Sequence, residues 1–452
     1  MKFSSKIATG YLAVLFFLLS SFRTLRAGTF VTKIATGQFH SLFLKSDGSL
    51  WAMGRNNVGQ LGDGTTIQRT APTPIVSRDV TEIAAGSYHS LFLKSDGSLW
   101  VMGANGNGQL GDGATSQRTS PKQIVSSNVT AIAAGAFYSL FLKSDGGLWA
   151  MGYNGYGQLG DGTYIQTNKP EQIISDNVTK VAAKALASVF VKSDGSLWAV
   201  GGNANGQLGD GTTIGTNVPQ QIVSGNVMMI APGWNHNLFL KTGGSLWGMG
   251  NNSWGQLGDG TTFFNRNIPK QIVPDNVIAI AAGVAHSLYV KADGSLWATG
   301  RNDAGQLGDG TTNEQHVAKP NVASGVTAVA ANQNSLFLKS DGSLWAMGSN
   351  SNGQLGDGTT NDVHLPKLIV PGISIPEIVG IHSAGDNLVF SANNGLSGGI
   401  YSVLTGTTLT QPVSQWTFVT SGTPQSPGDF ILTATNAFDH DVAQRFYILQ
   451  VR

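Results

Sequence analysis

Short apolar runs separated by polar, glycine-rich turns recur along most of the chain. In one stretch the apolar runs 80–85, 91–93 and 99–102 are followed by a longer polar segment and then by the run 123–125. Runs of this length, bounded by Gly, Asn, Asp and Ser, are typical of β-strands and too short for helices. Residues 91–93 are apolar on both faces, as in a strand that neighbouring sheets cover on both sides. The stretch therefore predicts four short strands in one antiparallel sheet.

This unit recurs seven times with a period close to 49 residues. A Gly-Gln-Leu-Gly-Asp-Gly segment returns at spacings of 48 to 50 residues, and a Trp upstream of it keeps the same rhythm. The Gln positions are Gln60, Gln109, Gln158, Gln207, Gln256, Gln306 and Gln354. The Trp positions are Trp51, Trp100, Trp149, Trp198, Trp247, Trp297 and Trp345, and we expect these side chains to pack between blades. Four strands per unit at this period predict an all-β fold, a seven-bladed β-propeller.

The strand order predicts which loops share a face. Because antiparallel strands alternate in direction, the Gly-x-x-His link and the long Gln-Leu-Gly-Asp-Gly loop lie on one rim, and the Ser-Asp-Gly turn lies opposite. A last outer strand, 366–370, has no further half-repeat after it. We therefore expect residues 30–45 to join the blade that contains residues 365–370 and so seal the ring, which removes a free sheet edge.

These motifs also carry a family resemblance. Gly-x-x-His-Ser-Leu, Asp-Gly-x-Leu-Trp-x-x-Gly-x-Asn and Gly-Gln-Leu-Gly-Asp-Gly-Thr recur in that order over about residues 30–370. The pattern resembles the repeat of the regulator of chromosome condensation family, which implies a seven-bladed propeller. Within the family the chain looks most similar to secreted bacterial members, whereas some eukaryotic members are guanine-nucleotide exchange factors.

The two ends of the chain differ from the repeats. Residues 1–27 place Lys2 and Lys6 before an apolar run and predict a cleaved secretory signal peptide, although Arg23 and Arg26 after the run would also suit an uncleaved anchor. Removing these four basic residues lowers the formal charge from +1 to −3, which gives the mature chain no electrostatic reason to bind nucleic acid. After cleavage no stable membrane span is expected, so the predicted location is secreted or at the cell surface of a bacterium.

The remaining boundaries follow from where the repeat stops. Residues 28–372 are the predicted propeller, and residues 373–452 lack the Trp and Gln-Leu-Gly signals. Five or so alternating segments in that stretch predict a small C-terminal β-sandwich-like module. Residues 378–390 could instead be a decayed eighth half-repeat.

Neither the acidic nor the histidine positions of the repeat predict a metal site. One Asp per loop recurs at Asp63, Asp112, Asp161, Asp210, Asp259, Asp309 and Asp357. Calcium loops need several converging oxygen ligands, so we expect each Asp to accept hydrogen bonds within its own turn. Histidines share one repeat position at His40, His89, His236 and His286, which other blades fill with Tyr138, Ala187 and Asn334. A structural role follows, because equivalent positions lie far apart around a ring. The chain has no Cys, and no cofactor is expected.

Variable positions on the loop rim are the candidate binding surface. Aromatic residues and Arg dominate protein-binding hot spots. The predicted partner-binding residues are Phe39, Tyr88, Phe137, Tyr156, Tyr164, Trp234, Trp254, Phe263, Phe264 and Arg266. Five of these belong to the fifth blade, where we expect the largest contribution. Some of them could equally pack beneath loops, since single exposed aromatic residues are common.

The sequence thus predicts a secreted, non-enzymatic binding module whose loop rim recognises a protein or a cell-surface ligand. Two alternatives remain. An exchange-factor-like regulator needs specialised loops, and repeats within one residue of 49 leave little room for an insertion. A propeller enzyme needs a carboxylate or histidine cluster in the central channel, and we expect no repeat to depart from the others to supply one.

Overall fold

The structure is a computed structural model that describes residues 29–262 and 265–373, together with six strands in the C-terminal part of the chain. The chain divides into two compact units, of which one spans Phe30–Gly372 and the other contains the C-terminal strands. The described residues form strands and turns only, and none of them belongs to a helix that could cross a membrane. The predicted signal peptide, residues 1–27, lies outside the described residues.

The larger unit is a seven-bladed propeller, as predicted. Each blade is a four-stranded antiparallel sheet whose strands follow one another in chain order. Blades 1 to 4 contain β1 (Val31–Thr36), β2 (His40–Lys45), β3 (Leu50–Gly54), β4 (Arg69–Val76); β5 (Val80–Ala85), β6 (His89–Lys94), β7 (Leu99–Gly103), β8 (Arg118–Val125); β9 (Val129–Ala134), β10 (Tyr138–Lys143), β11 (Leu148–Gly152), β12 (Thr167–Ile174); β13 (Val178–Lys184), β14 (Ala187–Lys192), β15 (Leu197–Gly201) and β16 (Thr216–Val223). Blades 5 to 7 contain β17 (Val227–Pro232), β18 (His236–Lys241), β19 (Leu246–Gly250), β20 (Arg266–Val273); β21 (Val277–Ala282), β22 (His286–Lys291), β23 (Leu296–Gly300), β24 (Gln315–Val322); β25 (Val326–Ala331), β26 (Asn334–Lys339), β27 (Leu344–Gly348) and β28 (Val363–Val370).

The turn between the second and third strands of a blade explains the repeated Ser-Asp-Gly. In blade 1, Gly48 adopts φ 77° and its N–H donates to the Lys45 carbonyl at 3.0 Å. This left-handed conformation is open to Gly at no steric cost. The Asp47 carboxylate accepts a hydrogen bond from the Ser49 N–H at 2.9 Å. The turn therefore closes on itself and points away from the loop rim.

The hydrophobic core lies between the blades. One cluster joins Leu42, Leu44 and Leu50 of blade 1 to Phe92 and Met102 of blade 2, and each pair of neighbouring blades has an equivalent cluster. The middle strands are therefore buried on both faces, as their unbroken apolar runs predicted. The repeated Trp residues pack against these clusters from the side of the next blade, which confirms their predicted position between blades.

The predicted sealing of the ring was wrong. Residues 30–45 do not share a sheet with residues 365–370, because β1 and β2 pair with β3 and β4 in blade 1, while β28 completes blade 7 with its own three preceding strands. The ring closes instead by packing of Val31 and Phe43 against Leu336 and Leu338. A bond from the Val31 N–H to the Gly342 carbonyl, 3.0 Å, adds to this seam. An extra strand exchange is unnecessary, since each repeat already contains all four strands of a blade.

The described C-terminal strands form two three-stranded antiparallel sheets. They are β29 (Glu377–Ala384), β30 (Asn387–Gly395), β31 (Tyr401–Gly406), β32 (Thr417–Gly422), β33 (Gly428–Ala434) and β34 (Phe446–Val451). The sheet orders are β29–β30–β33 and β32–β31–β34. Since β29 and β30 pair with β33, they are not part of an eighth blade. The sandwich arrangement of residues 373–452 stays a prediction.

Candidate functional site

The two predicted rim loops of each blade do lie together. In blade 1 the Arg55 N–H at the start of the long loop donates to the Phe39 carbonyl in the Gly-x-x-His link, at 2.9 Å. Blade 3 repeats the contact between Tyr153 and Phe137 at 3.0 Å. Backbone bonds between the loops leave the side chains at these positions free to vary without changing the loop path. The rim is therefore a rigid frame that carries variable residues, which is the arrangement expected of a binding surface.

Each repeated Asp holds its own loop, as predicted. The Asp63 carboxylate accepts hydrogen bonds from the Thr65 N–H at 3.0 Å, from Asn56 Nδ2 at 2.9 Å and from Arg69 Nε at 2.8 Å. Burial by itself would raise the pKa of Asp63, but the hydrogen bonds from Thr65, Arg69 and Asn56 outweigh it and lower the pKa below its usual value. In blade 2 the corresponding bonds lower the pKa of Asp112 to about 2. These carboxylates are therefore fully occupied within the scaffold.

The repeated histidines connect neighbouring blades. His40 Nε2 lies 2.8 Å from Ser90 Oγ of the next blade, and that hydroxyl donates to the Gln60 carbonyl at 2.7 Å. His89, His236 and His286 make the same contact with Ser139, Ser287 and Ser335. All four imidazoles are buried, which lowers the pKa of His40, His236 and His286 to about 3 and that of His89 to about 4. The predicted structural role of these residues is confirmed.

Five aromatic side chains on the rim form a continuous series, here called the rim arc: Phe39, Tyr88, Phe137, Tyr153 and Tyr156. Successive ring centroids are 5.8, 6.2, 6.4 and 6.4 Å apart. These separations lie within the range of favourable aromatic pairs. The arc crosses blades 1, 2 and 3, and four of its five members are among the predicted binding residues.

An arginine covers one end of the rim arc, and an exposed tyrosine ends the other. The guanidinium of Arg55 lies 5.3 Å from the centroid of Phe39 and 5.5 Å from that of Tyr88. Tyr156 is 49% exposed, whereas Phe39, Tyr88 and Phe137 are half-buried. The inner rings are thus held in place by their neighbours, through one stacked pair and several tilted or edge-on pairs, with a cation over Phe39 and Tyr88.

The other predicted binding residues that the structure describes make no ring contact with the rim arc. Tyr164 is 57% exposed on the long loop of blade 3, and Trp234 is half-buried in the link of blade 5. Trp254 is 41% exposed, and the Arg301 guanidinium of blade 6 lies 5.4 Å from its ring centroid. Arg266 is held by Asp259 at 2.7 Å, in the same scaffold position as Arg69 and Arg118 in the first two blades. Phe263 and Phe264 lie outside the described residues.

Sequence reasoning missed Tyr153. It follows the last glycine of β11, a position filled in other blades by Arg55, Ala104, Gly202, Asn251, Arg301 and Ser349. This variability was a usable signal, because scaffold positions repeat and this one does not. Tyr153 bridges Phe137 and Tyr156, so without it the arc would be broken between blade 3 and its own long loop.

The central channel is lined by the inner strands of all seven blades. Its cavity has a volume of about 230 Å³ and its walls are mostly alanine, including Ala84, Ala133, Ala281 and Ala330. Blade 4 departs from the other repeats by placing Lys184 in this wall, a residue that sequence reasoning did not single out. Within the described residues no group of three or more His, Asp or Glu side chains is placed to hold a metal ion.

Comparison with known proteins agrees with this architecture. The model of the RCC1-like domain matches residues 126–403, and models of the regulator of chromosome condensation (RCC1) repeat match residues 31–60, 47–93, 80–109 and 96–142. Human WBSCR16 superposes with a TM-score of 0.64 at 22% identity, covering 74% of this chain and 96% of the human one. Prp20p of Saccharomyces cerevisiae, a protein studied for binding to Gsp1p and histones, gives a TM-score of 0.65 at 20% identity over 89% of this chain and 94% of the yeast one. Yeast RCC1 (Prp20) bound to Kap60 gives 0.64 at 18% identity, over 98% and 96% of the two chains.

At these identities the solved structures establish a common fold and nothing more. The match to the RCC1-like domain, however, covers more than half of the chain, and the repeat models extend it into the first two blades. Seven repeats with the same tryptophan and aspartate positions, four of which also share the buried histidine, accompany these matches. The chain therefore belongs to the family of regulator of chromosome condensation (RCC1) repeat propellers.

Proposed function

We propose that this chain is a secreted, non-enzymatic binding module that recognises a protein partner through its loop rim. The observation that carries the proposal is the rim arc, a continuous aromatic strip of five rings with Arg55 beside it. Aromatic residues and Arg in this combination are enriched at the centres of protein interfaces. Similar propellers bind proteins, since Prp20p has been studied with Gsp1p and histones and crystallised with Kap60.

The rest of the molecule supports binding over catalysis. The repeated Asp and His side chains are engaged in loop and seam contacts, which leaves them unsuited to acid–base chemistry at the rim. Secretion is part of the proposal on the strength of the predicted signal peptide. A cell-surface ligand other than a protein is an outcome that the experiment below can reveal.

Site-specific photocrosslinking tests the location of the binding surface. A photoreactive phenylalanine analogue is placed at Tyr156 or Tyr164 on the rim and, as a matched control, at Asp194 in the Ser-Asp-Gly turn of the opposite face. The purified variants are exposed to culture medium and intact cells of the producing organism. We expect one defined adduct from the rim positions and none from Asp194. Adducts formed only at Asp194 would place the binding surface on the opposite face.

Substitution then measures the contribution of individual rings. Tyr156→Ala and Trp254→Ala remove exposed side chains, so the fold should be preserved. Truncation of an interface anchor typically costs about 2–4 kcal/mol. We therefore expect Tyr156→Ala to weaken binding of the crosslinked partner at least about tenfold. Unchanged affinity in both variants would exclude the aromatic rim as the recognition surface, even if crosslinks form there.

A further inference from the structure

Blade 4 departs from the repeat at two linked positions. Lys184 occupies the place of the glycine in the Gly-x-x-His link, and Ala187 occupies the place of the histidine. In blade 2 a Cβ atom on Gly86 would lie 2.3 Å from the ring of His89 and 2.5 Å from the Gly135 carbonyl oxygen of the next blade, so any side chain there is excluded. Ala187 has no ring, which removes the first of these obstructions, and blade 4 also differs in its backbone at this point. The two changes together admit a lysine into the channel wall.

The backbone of blade 4 is adapted to this lysine. Lys184 pairs with Ala187, which extends β13 by one residue relative to the inner strand of the other blades. The remaining turn places Ala185 at φ 45°, in the left-handed region. The other non-glycine residues with positive φ in the described part of the chain are Asp or Asn, whose side chains tolerate that region. A strained alanine beside a unique lysine is a feature of the kind that accumulates at functional sites.

The Lys184 amine has no acidic partner. Its Nζ donates to the Ala331 carbonyl of blade 7 at 2.5 Å, and among the described residues no carboxylate lies within ion-pair distance of it. Burial lowers the pKa of this amine to about 7. The titratable groups whose charge interacts with it are His236 and His286, which burial keeps neutral at that pH. Lys184 is half-buried, so its amine meets the channel, and when protonated it is a cation to which the described residues offer no counter-charge.

We propose that the central cavity binds a small aliphatic carboxylate, with the carboxylate paired to Lys184 and the hydrocarbon part among the channel alanines. The anion would supply the counter-charge that the protein does not. The walls, which include Ala133, Ala183 and Ala281, suit a hydrocarbon and offer no second charge. Pockets for drug-sized ligands measure about 300–1,000 Å³. A cavity of about 230 Å³ therefore takes a smaller molecule, such as a short-chain fatty acid.

Calorimetric titration of the full chain with hexanoate tests the proposal. We expect saturable binding that Lys184→Gln weakens at least about tenfold. Lys180→Gln, on the exposed part of the same strand, is the matched control and should bind as the parent protein does. The uncharged analogue 1-hexanol should also bind at least about tenfold more weakly than hexanoate. Equal binding of hexanoate by the Lys184→Gln protein, or no saturable binding by the parent protein, would overturn the proposal.

A second measurement needs no substitution and separates a binding role from a purely structural one. The Lys184 amine is titrated by NMR with and without hexanoate. A bound carboxylate favours the charged amine, so the pKa of Lys184 should rise on addition of hexanoate, and hexanoate affinity should fall as the pH increases above about 7. If the amine serves only to hydrogen-bond Ala331 across the channel, hexanoate will not change the pKa of Lys184, and hexanoate affinity will not depend on pH. An unchanged pKa at saturating hexanoate would therefore refute the proposal even if Lys184→Gln were unstable.

Discussion

At the scale of single residues, one stack of side chains is repeated in every blade. A tryptophan lies parallel to an aromatic ring of the neighbouring strand, as Trp149 does on Phe141 at a centroid distance of 6.0 Å. A lysine covers the tryptophan, with Lys143 Nζ 4.2 Å from the ring of Trp149. In the other six blades a serine hydroxyl also accepts a bond from the indole Nε1, as Ser98 does from Trp100 at 2.9 Å. The stack thus gives the indole ring apolar packing and gives its Nε1–H a hydrogen-bond acceptor.

Blade 3 lacks this serine and offers a direct test of its value. Gly147 stands in its place, and Trp149 Nε1 is buried without a hydrogen-bond partner. Gly147→Ser should restore the bond and reduce the entropy of the unfolded chain, for a gain of about 1–2 kcal/mol in the free energy of unfolding. Urea denaturation measures the gain. Gly147→Ala, which lacks the hydroxyl, should recover less than half of it, and equal gains from both substitutions would show that the indole bond contributes nothing.

At the scale of the structural element, the seams between blades depend on neutral histidines. Each imidazole is buried and bonded to a serine of the next blade, as His89 is to Ser139 at 2.9 Å. In the unfolded chain a histidine has a pKa near 6.5. Burial lowers the folded-state pKa to between about 3 and about 4 at all four positions. The stabilisation from these neutral imidazoles is complete above about pH 6.5 and is lost as the pH falls towards the folded values.

Stability should therefore decline steeply in mild acid. Each buried histidine contributes a slope of about 1.4 kcal/mol per pH unit below about pH 6. His89→Asn, which copies the side chain that blade 7 carries as Asn334, should lower the slope of unfolding free energy against pH by about that amount between about pH 6 and about pH 4.5. Urea denaturation at a series of pH values measures it.

The double variant His40→Asn/His89→Asn serves as a check on this assignment. In the double variant the slope of unfolding free energy against pH should fall by about twice as much as in the single variant, because the two imidazoles protonate independently in the unfolded chain. Hydrogen bonds lower the pKa of loop carboxylates such as Asp112, so these groups also lose stabilisation as the pH falls below about 5. They are the same in the parent and in the variants, so their contribution cancels in the difference between slopes. A slope that is the same in the parent and in both variants would assign the acid sensitivity to other groups.

At the scale of the whole molecule, the propeller closes without exchanging a strand. The seam between blades 7 and 1 repeats a backbone bond of the other seams: the Val31 N–H bonds to the Gly342 carbonyl as the Val80 N–H does to the Gly48 carbonyl, both at 3.0 Å. Asn334 Nδ2 donates to Ser41 Oγ at 3.3 Å in the place where four other seams have a histidine. Both ends of the propeller unit approach the turn at Asp341 and Gly342, which Gly372 and Phe30 respectively contact. The backbone contacts between blades thus continue across the place where the two ends of the propeller unit meet.

A circular permutant tests this equivalence. Joining Gly372 to Phe30 leaves three residues between Val370 and Val31, as many as separate β4 from β5. Because the third residue of such links is left-handed, as Asp79 is at φ 68°, the permutant carries Phe30→Asn. The permutant is opened at the link between blades 2 and 3. Its Tm should lie within about 2–4 °C of the Tm of the linear propeller unit, which is the shift that about 1 kcal/mol of unfolding free energy produces in a large domain. Failure of the permutant to fold, while the linear unit does, would show that the native seam is not equivalent to the rest.

The sequence by itself determined the features that every repeat contains. Blade number, strand positions, the role of the Asp loops and the interblade place of Trp149 and His89 all follow from local chemistry that recurs seven times, so each was readable from one repeat and confirmed by the next. The rim face was likewise readable, because strand direction alternates within a blade.

Only the tertiary structure decided how the ring closes and where the irregular residues make contact. Residues 30–45 proved to complete blade 1, Tyr153 proved to connect Phe137 and Tyr156 within blade 3, and Lys184 proved to reach across the channel to Ala331. The closing seam and the Lys184 contact join distant repeats, and no other blade carries an aromatic residue at the position of Tyr153, so the repeated pattern alone predicts none of them. A periodic sequence specifies its unit and its neighbours, whereas the partners of its irregular residues are fixed only when the ring closes.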